Sequence, residues 1–213
     1  MSHSYDELYL GEAQTNLARM LDFAVHDLHF DITEFFDLFI ASNIARSFGS
    51  GNPGVIAGRS GIELAYDVLE RCGIPEEWIT PNYRFDRSEE YWTGWVLAYY
   101  QWESGRSFSE IIRYVPITAI QAMYQPYHEM DISHFVDHMN SRIDTQMADE
   151  SNLKRLRRIA NITQRELAKA SGVPLRTIQQ YEQRQKNINK AQAEYLMMLA
   201  SPLACDPKDL LEK

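Results

Sequence analysis

The sequence predicts an all-α protein: an N-terminal helical domain over residues 1–147, followed by a five-helix domain over residues 152–213. Three observations predict it. Apolar residues recur at three- and four-residue steps, the period of helices buried on one side. Helix starts are marked by Ser, Thr or Asp with Glu three residues later, the pattern of a capping box. No stretch alternates apolar and polar residues at a strand period for more than a few positions.

The first helix is read over Gly11 to Leu28, where Leu17, Met20, Leu21, Ala24 and Leu28 share one face. Asp31 and Glu34 box a second, in which Phe35, Phe36, Leu38, Phe39, Ile40 and Ile44 are dense enough to be widely buried, with a stop near Gly49. Ser60 and Glu63 box a third that ends at Gly73. Residues 75 to 88 hold two prolines and several charges and read as a long connection. Ser88 to Gly105 is an aromatic-rich helix, Ser107 with Glu110 opens a short one to Val115, Pro116 begins another, and Asp131 caps a last one running to about Gln146.

The polar stretch from Thr145 to Asn152 is read as the domain boundary. Five short helices follow: Leu153 to Ala160, Thr163 to Ala170, Pro174 to Gln183, Asn189 to Ala200, and Asp206 to Leu211. Asn189 is read as a cap, as is Asp206, with Pro207 at the first helical position after it.

Composition narrows the function classes. With 45% hydrophobic and 12% aromatic residues the chain is a folded globular protein. No apolar run reaches the ~18 residues of a membrane span, and the acidic, polar N-terminus MSHSYDELYLGEAQ does not read as a signal peptide. A cytoplasmic protein is expected. Cys72 and Cys205 lie far apart, with no metal or redox spacing. The net charge of −9 is unevenly divided. Residues 151–213 carry 12 Lys+Arg against 6 Asp+Glu, net +6, whereas residues 1–150 carry 9 against 24, net −15. The basic end suits phosphate neutralisation. The acidic part suits a basic protein partner, or simple solubility.

Several N-terminal patterns invite a chemical reading. Gly49 to Gly54 satisfies G-x-G-x-x-G, but a helix precedes it and a loop follows, which is the wrong context for a dinucleotide site. Ala57-Gly58-Arg59-Ser60 looks like the end of a P-loop, but Pro53 replaces its first glycine and Arg59 its lysine. His134 and His138 are spaced to share a metal, yet a third ligand is missing, so they read as surface histidines and no metal is expected. Trp92, Trp95, Tyr99 and Trp102 form one helical stripe, which can be core, line a ligand pocket, or, least in keeping with the negative charge, stack bases. No nucleophile–base arrangement emerges. Neither an enzyme nor a cofactor is expected.

The most specific signal is NITQRELAKASGVPLRTIQQYE, Asn161 to Glu182. Thr163 and Glu166 form a capping box, Ser171-Gly172-Val173 makes a tight turn with Gly172 free to take positive φ, and Pro174 is read at the first position of the next helix. Leu167, Ala168, Val173, Ile178 and Tyr181 fall on the buried side; Arg176, Thr177, Gln179, Gln180 and Gln183 are left outside. This is the layout of two helices that present one of them to the DNA major groove.

The segment from Leu153 to Leu211 resembles the phage Cro and lambda-repressor type of helix-turn-helix, also called the xenobiotic-response-element type. The resemblance rests on TQRELAKASGVPLRTIQQYE, NKAQAEYLMMLA and DPKDLL. It implies a transcriptional regulator that binds double-stranded DNA as a homodimer. Leu175, Arg176, Gln179 and Gln180 take the base-reading positions, with Leu175 either touching a thymine methyl or merely packing. Gln164 takes the phosphate position at a helix N-terminus; Thr177, Arg184 and Lys186 suit the DNA backbone. Arg157 and Glu182 occupy positions that in this family form an internal ion pair. The family turns with a glycine where this chain has Gln183-Arg184-Gln185. An acidic helical domain ahead of such a DNA-binding domain also matches the order of an antitoxin, whose N-terminal part neutralises a toxin.

Overall fold

The computed structural model describes residues 3–74, 77–82 and 86–212. Among these there are helices and connections and no strand. The chain divides into two compact units, Met1–Ile143 and Asp144–Lys213.

The first unit is built around α1 (Leu10–His26), which packs against α5 (Gly61–Arg71) and α6 (Glu89–Ser104). Two glycines permit this close crossing. A Cβ on Gly94 would lie 2.6 Å from the Leu17 carbonyl oxygen and 2.7 Å from the Ala18 Cα, and one on Gly61 would collide with the Asn16 carbonyl. Leu17, Leu21, Leu64, Leu69 and Leu97 close the seam. Further on, α2 (Ile32–Ala41), α3 (Ile44–Gly49) and α7 (Phe108–Tyr114) contribute Phe36, Phe39, Phe48 and Phe108, whose rings meet at 5.4–6.3 Å and mostly edge to face. Between and after these come α4 (Pro53–Ile56), α8 (Ile117–Gln121), α9 (Tyr124–Tyr127) and α10 (Ile132–Asp149).

The helix read from Asp31 to Gly49 is in fact two. Asp31 caps α2 by accepting the Thr33 and Glu34 amides. At the other end the Ser42 hydroxyl donates to the Phe39 carbonyl and accepts the Ile44 amide, and Asn43 turns to φ 63°. A short polar side chain that bonds its own backbone competes with the helix ladder, and asparagine tolerates the left-handed conformation that follows. Glu110 likewise leaves the expected box: Ser107 accepts its amide, but its carboxylate pairs with Arg106 at 2.6 Å. The Ser60–Glu63 box forms in full. Parts of the 75–88 connection, residues 75–76 and 83–85, lie outside the described residues. The short helices α4 and α9 lack an apolar period of their own and were not anticipated. The helix expected to end near Gln146 continues to Asp149, through residues read as boundary.

The second unit contains α11 (Asn152–Ile159), α12 (Gln164–Ser171), α13 (Leu175–Glu182) and α14 (Ala193–Leu203). Single 3-10 turns lie at Ile188–Lys190 and Pro207–Leu210. Leu153, Leu167, Val173, Ile178, Tyr181, Leu199 and Leu210 form its core. The fourth helix starts at Ala193 rather than Asn189. Asn189 is diverted because its side chain donates to the Glu212 carbonyl at 2.7 Å and accepts the Glu212 amide at 2.8 Å, which ties the chain end down. Asp206 does cap the last element, with Pro207 first in it, but that element is one 3-10 turn.

Candidate nucleic-acid interface

The paired helices α12 and α13 begin with local chemistry. Thr163 accepts the Glu166 amide while Glu166 accepts the Thr163 amide at 2.7 Å, so both ends of the box close. That hydrogen bonding holds the Glu166 carboxyl below the usual carboxylate range. Gly172 ends α12 at φ 74°, a conformation a Cβ would oppose. Pro174 departs from its expected place by one residue. Its backbone is extended, at ψ 136°, and its carbonyl accepts the Thr177 and Ile178 amides, so it caps α13 from outside. An extended residue that opens the hydrogen-bond ladder defines the cap position rather than the first turn.

Beneath α13 lies a charged clamp. Arg157 of α11 donates to Glu182 through Nε at 2.6 Å and Nη2 at 2.9 Å. Its Nη1 donates to the Ile162 carbonyl at 2.9 Å. Gln164 Nε2 donates to the same carboxylate at 2.7 Å. The Glu182 side chain is 2% exposed and that of Arg157 12%. One carboxylate therefore fastens the end of α13 to α11 and to the start of α12, which fixes the angle between the two helices of the pair.

On the outer side the picture reverses. Arg176 is exposed, and Leu175, Thr177, Gln179 and Gln180 are half-buried. Among the described residues the side chains of Arg176, Gln179 and Gln180 make no hydrogen bond or ion pair within the protein. One turn of helix thus offers a guanidinium and two amides with their hydrogen-bonding capacity unspent. Arg165, Lys169 and Lys190 are also exposed and carry no ion pair among the described residues. Sequence reasoning passed over these three, because exposure alone distinguishes them and only the folded surface reports it.

Two residues read as DNA-backbone contacts are engaged inside the unit. Gln164 spends one amide hydrogen on Glu182, leaving the other and its carbonyl oxygen. Arg184 departs further: its Nη2 donates to the Glu150 carbonyl at 3.2 Å and pairs with Glu212 at 3.1 Å. A phosphate would have to compete with that carboxylate. Arg184 also takes φ 53°, so the chain makes with arginine the left-handed turn for which a glycine is usual. Lys186 is exposed, with Nζ 5.6 Å from the centre of the Tyr181 ring.

Residues 153–210 match the family model described as helix-turn-helix. The match agrees with the segment's likeness to DNA-binding helix-turn-helix domains of the Cro and repressor type. It spans under a third of the chain and leaves the first unit uncovered. No curated protein and no solved structure matches the chain.

The Gly49–Gly54 stretch joins α3 to α4, with Asn52 accepting the Gly54 amide. Arg59 pairs with Asp67, and Ser60 caps α5. His138 rests against Tyr127 at 5.4 Å between ring centres. Among the described residues no three His, Cys, Asp or Glu side chains converge as metal ligands, and no helix is long and apolar enough to cross a membrane. Both cysteines are free and half-buried. The tryptophan stripe splits: Trp102 is 4% exposed and its indole donates to the Tyr5 carbonyl at 2.8 Å, while Trp92 and Trp95 line a groove.

Proposed function

We propose that the protein is a sequence-specific transcriptional regulator that lays α13 in the major groove of double-stranded DNA. The observation that carries this reading is the contrast between the two sides of α13. Its inner end is locked by Arg157 and Glu182, while Arg176, Gln179 and Gln180 keep their polar groups unpaired on the outside. Rigid presentation of unspent donors and acceptors is what base readout requires: arginine suits a guanine edge and glutamine an adenine edge. Leu175 adds an apolar contact for a thymine methyl. The remaining Gln164 amide hydrogen, Thr177 and Lys186 serve the phosphates, and the +6 of residues 151–213 supplies the electrostatic attraction.

A single helix of this kind reads only a few base pairs, so the protein acts as a homodimer on paired half-sites, in the cytoplasm. Selection of DNA from a random pool by the purified chain, followed by sizing of the complex, tests both points. A recovered two-fold-symmetric sequence bound by two copies supports the reading. Recovery of random DNA contradicts it.

The net −15 of residues 1–150 favours one further reading, an antitoxin whose N-terminal part neutralises a basic toxin while the C-terminal part represses its own operon. Co-expression with the product of the neighbouring gene separates the two. Relief of growth arrest supports the antitoxin; an inert neighbour favours the plain regulator.

A further inference from the structure

A groove of about 520 Å³ lies in the first unit between α6, α9 and the start of α10. Beside the His128 imidazole, which stacks on Tyr124 at 4.4 Å between ring centres, six Phe, Tyr and Trp rings line it: Tyr91, Trp92, Trp95, Tyr124, Tyr127 and Phe135. Phe135 forms the floor at 1% exposure. The other five are only half-buried, so part of each ring remains on the wall rather than in the core. The rings brace one another nearly at right angles. Trp92 meets Tyr124 at 5.7 Å and 78° and Phe135 at 5.6 Å and 76°, and Tyr127 meets Phe135 at 6.3 Å and 75°. This makes an aromatic box of a size that suits a small molecule.

Charge specifies the occupant. The guanidinium carbon of Arg87 lies over the Tyr91 ring, 5.1 Å from its centre, so one wall already holds a cation. Asp131 also lines the groove, and hydrogen bonds from the Ser133 hydroxyl and amide keep its carboxyl below the usual carboxylate range. Residues 1–150 as a whole carry 24 Asp+Glu against 9 Lys+Arg, although Asp131 is the one carboxylate in the groove's lining. Aromatic faces attract cations through the ring quadrupole, and a net negative charge raises the concentration of cations near the protein.

We propose that this groove binds a small organic cation, an aralkyl quaternary ammonium, with its charge against the ring faces and Asp131. Arg87, exposed and resting on Tyr91, competes with the ligand for that ring face. The site is independent of the DNA-binding reading, and neither falls with the other.

The test is titration of the full chain with benzyltrimethylammonium, read by tryptophan fluorescence and calorimetry, beside benzyl alcohol, phenylacetate and a tetra-arginine peptide. The cation is expected to saturate the signal and to bind ~10-fold more tightly than the alcohol, a ratio within reach of a cation–π contact. Two surface variants that spare the core sharpen it. Asp131→Asn retains a capping side chain and loses only the charge, so it should weaken the cation several-fold. Arg87→Ala frees the Tyr91 face and should tighten it. Equal affinity for cation and alcohol, preference for phenylacetate, or weakening by Arg87→Ala would overturn the proposal. So would binding of the arginine peptide without the small cation, which would mark a protein-docking surface instead.

Discussion

Arg157 and Glu182, 25 residues apart in the chain, form a two-point ion pair at 2.6 and 2.9 Å beneath the helix that carries Arg176. Gln164 adds a further hydrogen bond to the carboxylate, and the Ile162 carbonyl accepts one from the guanidinium. Burying such a pair adds little net stability, but removing one partner strands the other. Arg157→Ala and Glu182→Ala are each expected to cost about 3–5 kcal/mol. Urea denaturation of the full chain checks this through the midpoint of the transition that reports the second unit. The double variant should lose much less than the sum of the single ones.

Arg184 combines a disfavoured backbone with a modest surface contact. Arg184→Gly relieves about 1–2 kcal/mol of left-handed strain but gives up an exposed ion pair worth about 0.2–1 kcal/mol and a hydrogen bond to the Glu150 carbonyl worth about 0.5–1.5 kcal/mol. The variant should therefore melt at nearly the same temperature. Its DNA affinity should keep the salt dependence of the parent, because the guanidinium is committed to Glu212 and the Glu150 carbonyl.

Close approach of backbones makes Gly94 irreplaceable in the first unit. The Cβ of Gly94→Ala would meet the Leu17 carbonyl and the Ala18 backbone within 2.8 Å, and neither can move without shifting α1. A loss of at least about 3 kcal/mol is expected, at the upper end of overpacking costs. Thermal unfolding followed by circular dichroism measures it. A neutral outcome would mean that α1 and α6 can separate freely.

Four capping carboxyls contribute to the response to acid. Glu63, Asp131, Glu166 and Asp206 are held below their ordinary values of 4.5 for Glu and 3.8 for Asp by hydrogen bonds from Ser60, Ser133, Thr163 and Lys208. A carboxyl depressed in the folded state stabilises fully above its unfolded value and loses that contribution as pH falls through its folded value. The melting temperature should thus show no contribution from these caps between pH 7 and 5 and a fall below about pH 4. Glu166→Gln should reduce that acid-side slope in the second unit.

Capping boxes and apolar periods made most helices legible from sequence, since both are local. Ser60–Glu63 and Thr163–Glu166 form as their spacing requires. What escaped was decided by distant partners. Nothing near Asn189 in sequence announces Glu212, and nothing near Arg184 announces the Glu150 carbonyl. The break at Ser42-Asn43 was hidden by the apolar density on both sides. The candidate interface was legible because its turn, caps and polar strip fall within 22 consecutive residues, Asn161 to Glu182. The aromatic groove was legible only in half, as a stripe on α6. Its other wall, from Tyr124 and Tyr127, and its floor, Phe135, are brought opposite only by folding.

Whether the outer side of α13 reads DNA is decided by affinity for the selected site, measured against salt concentration, in the parent chain, Arg176→Ala and Lys186→Ala. Arg176→Ala should lose about 1–3 kcal/mol on the selected site and relax the preference at one base pair. Lys186→Ala should weaken all sequences alike and reduce the salt slope by about 1. Full affinity, full preference and an unchanged salt slope in both variants would mean that this side of α13 does not contact DNA.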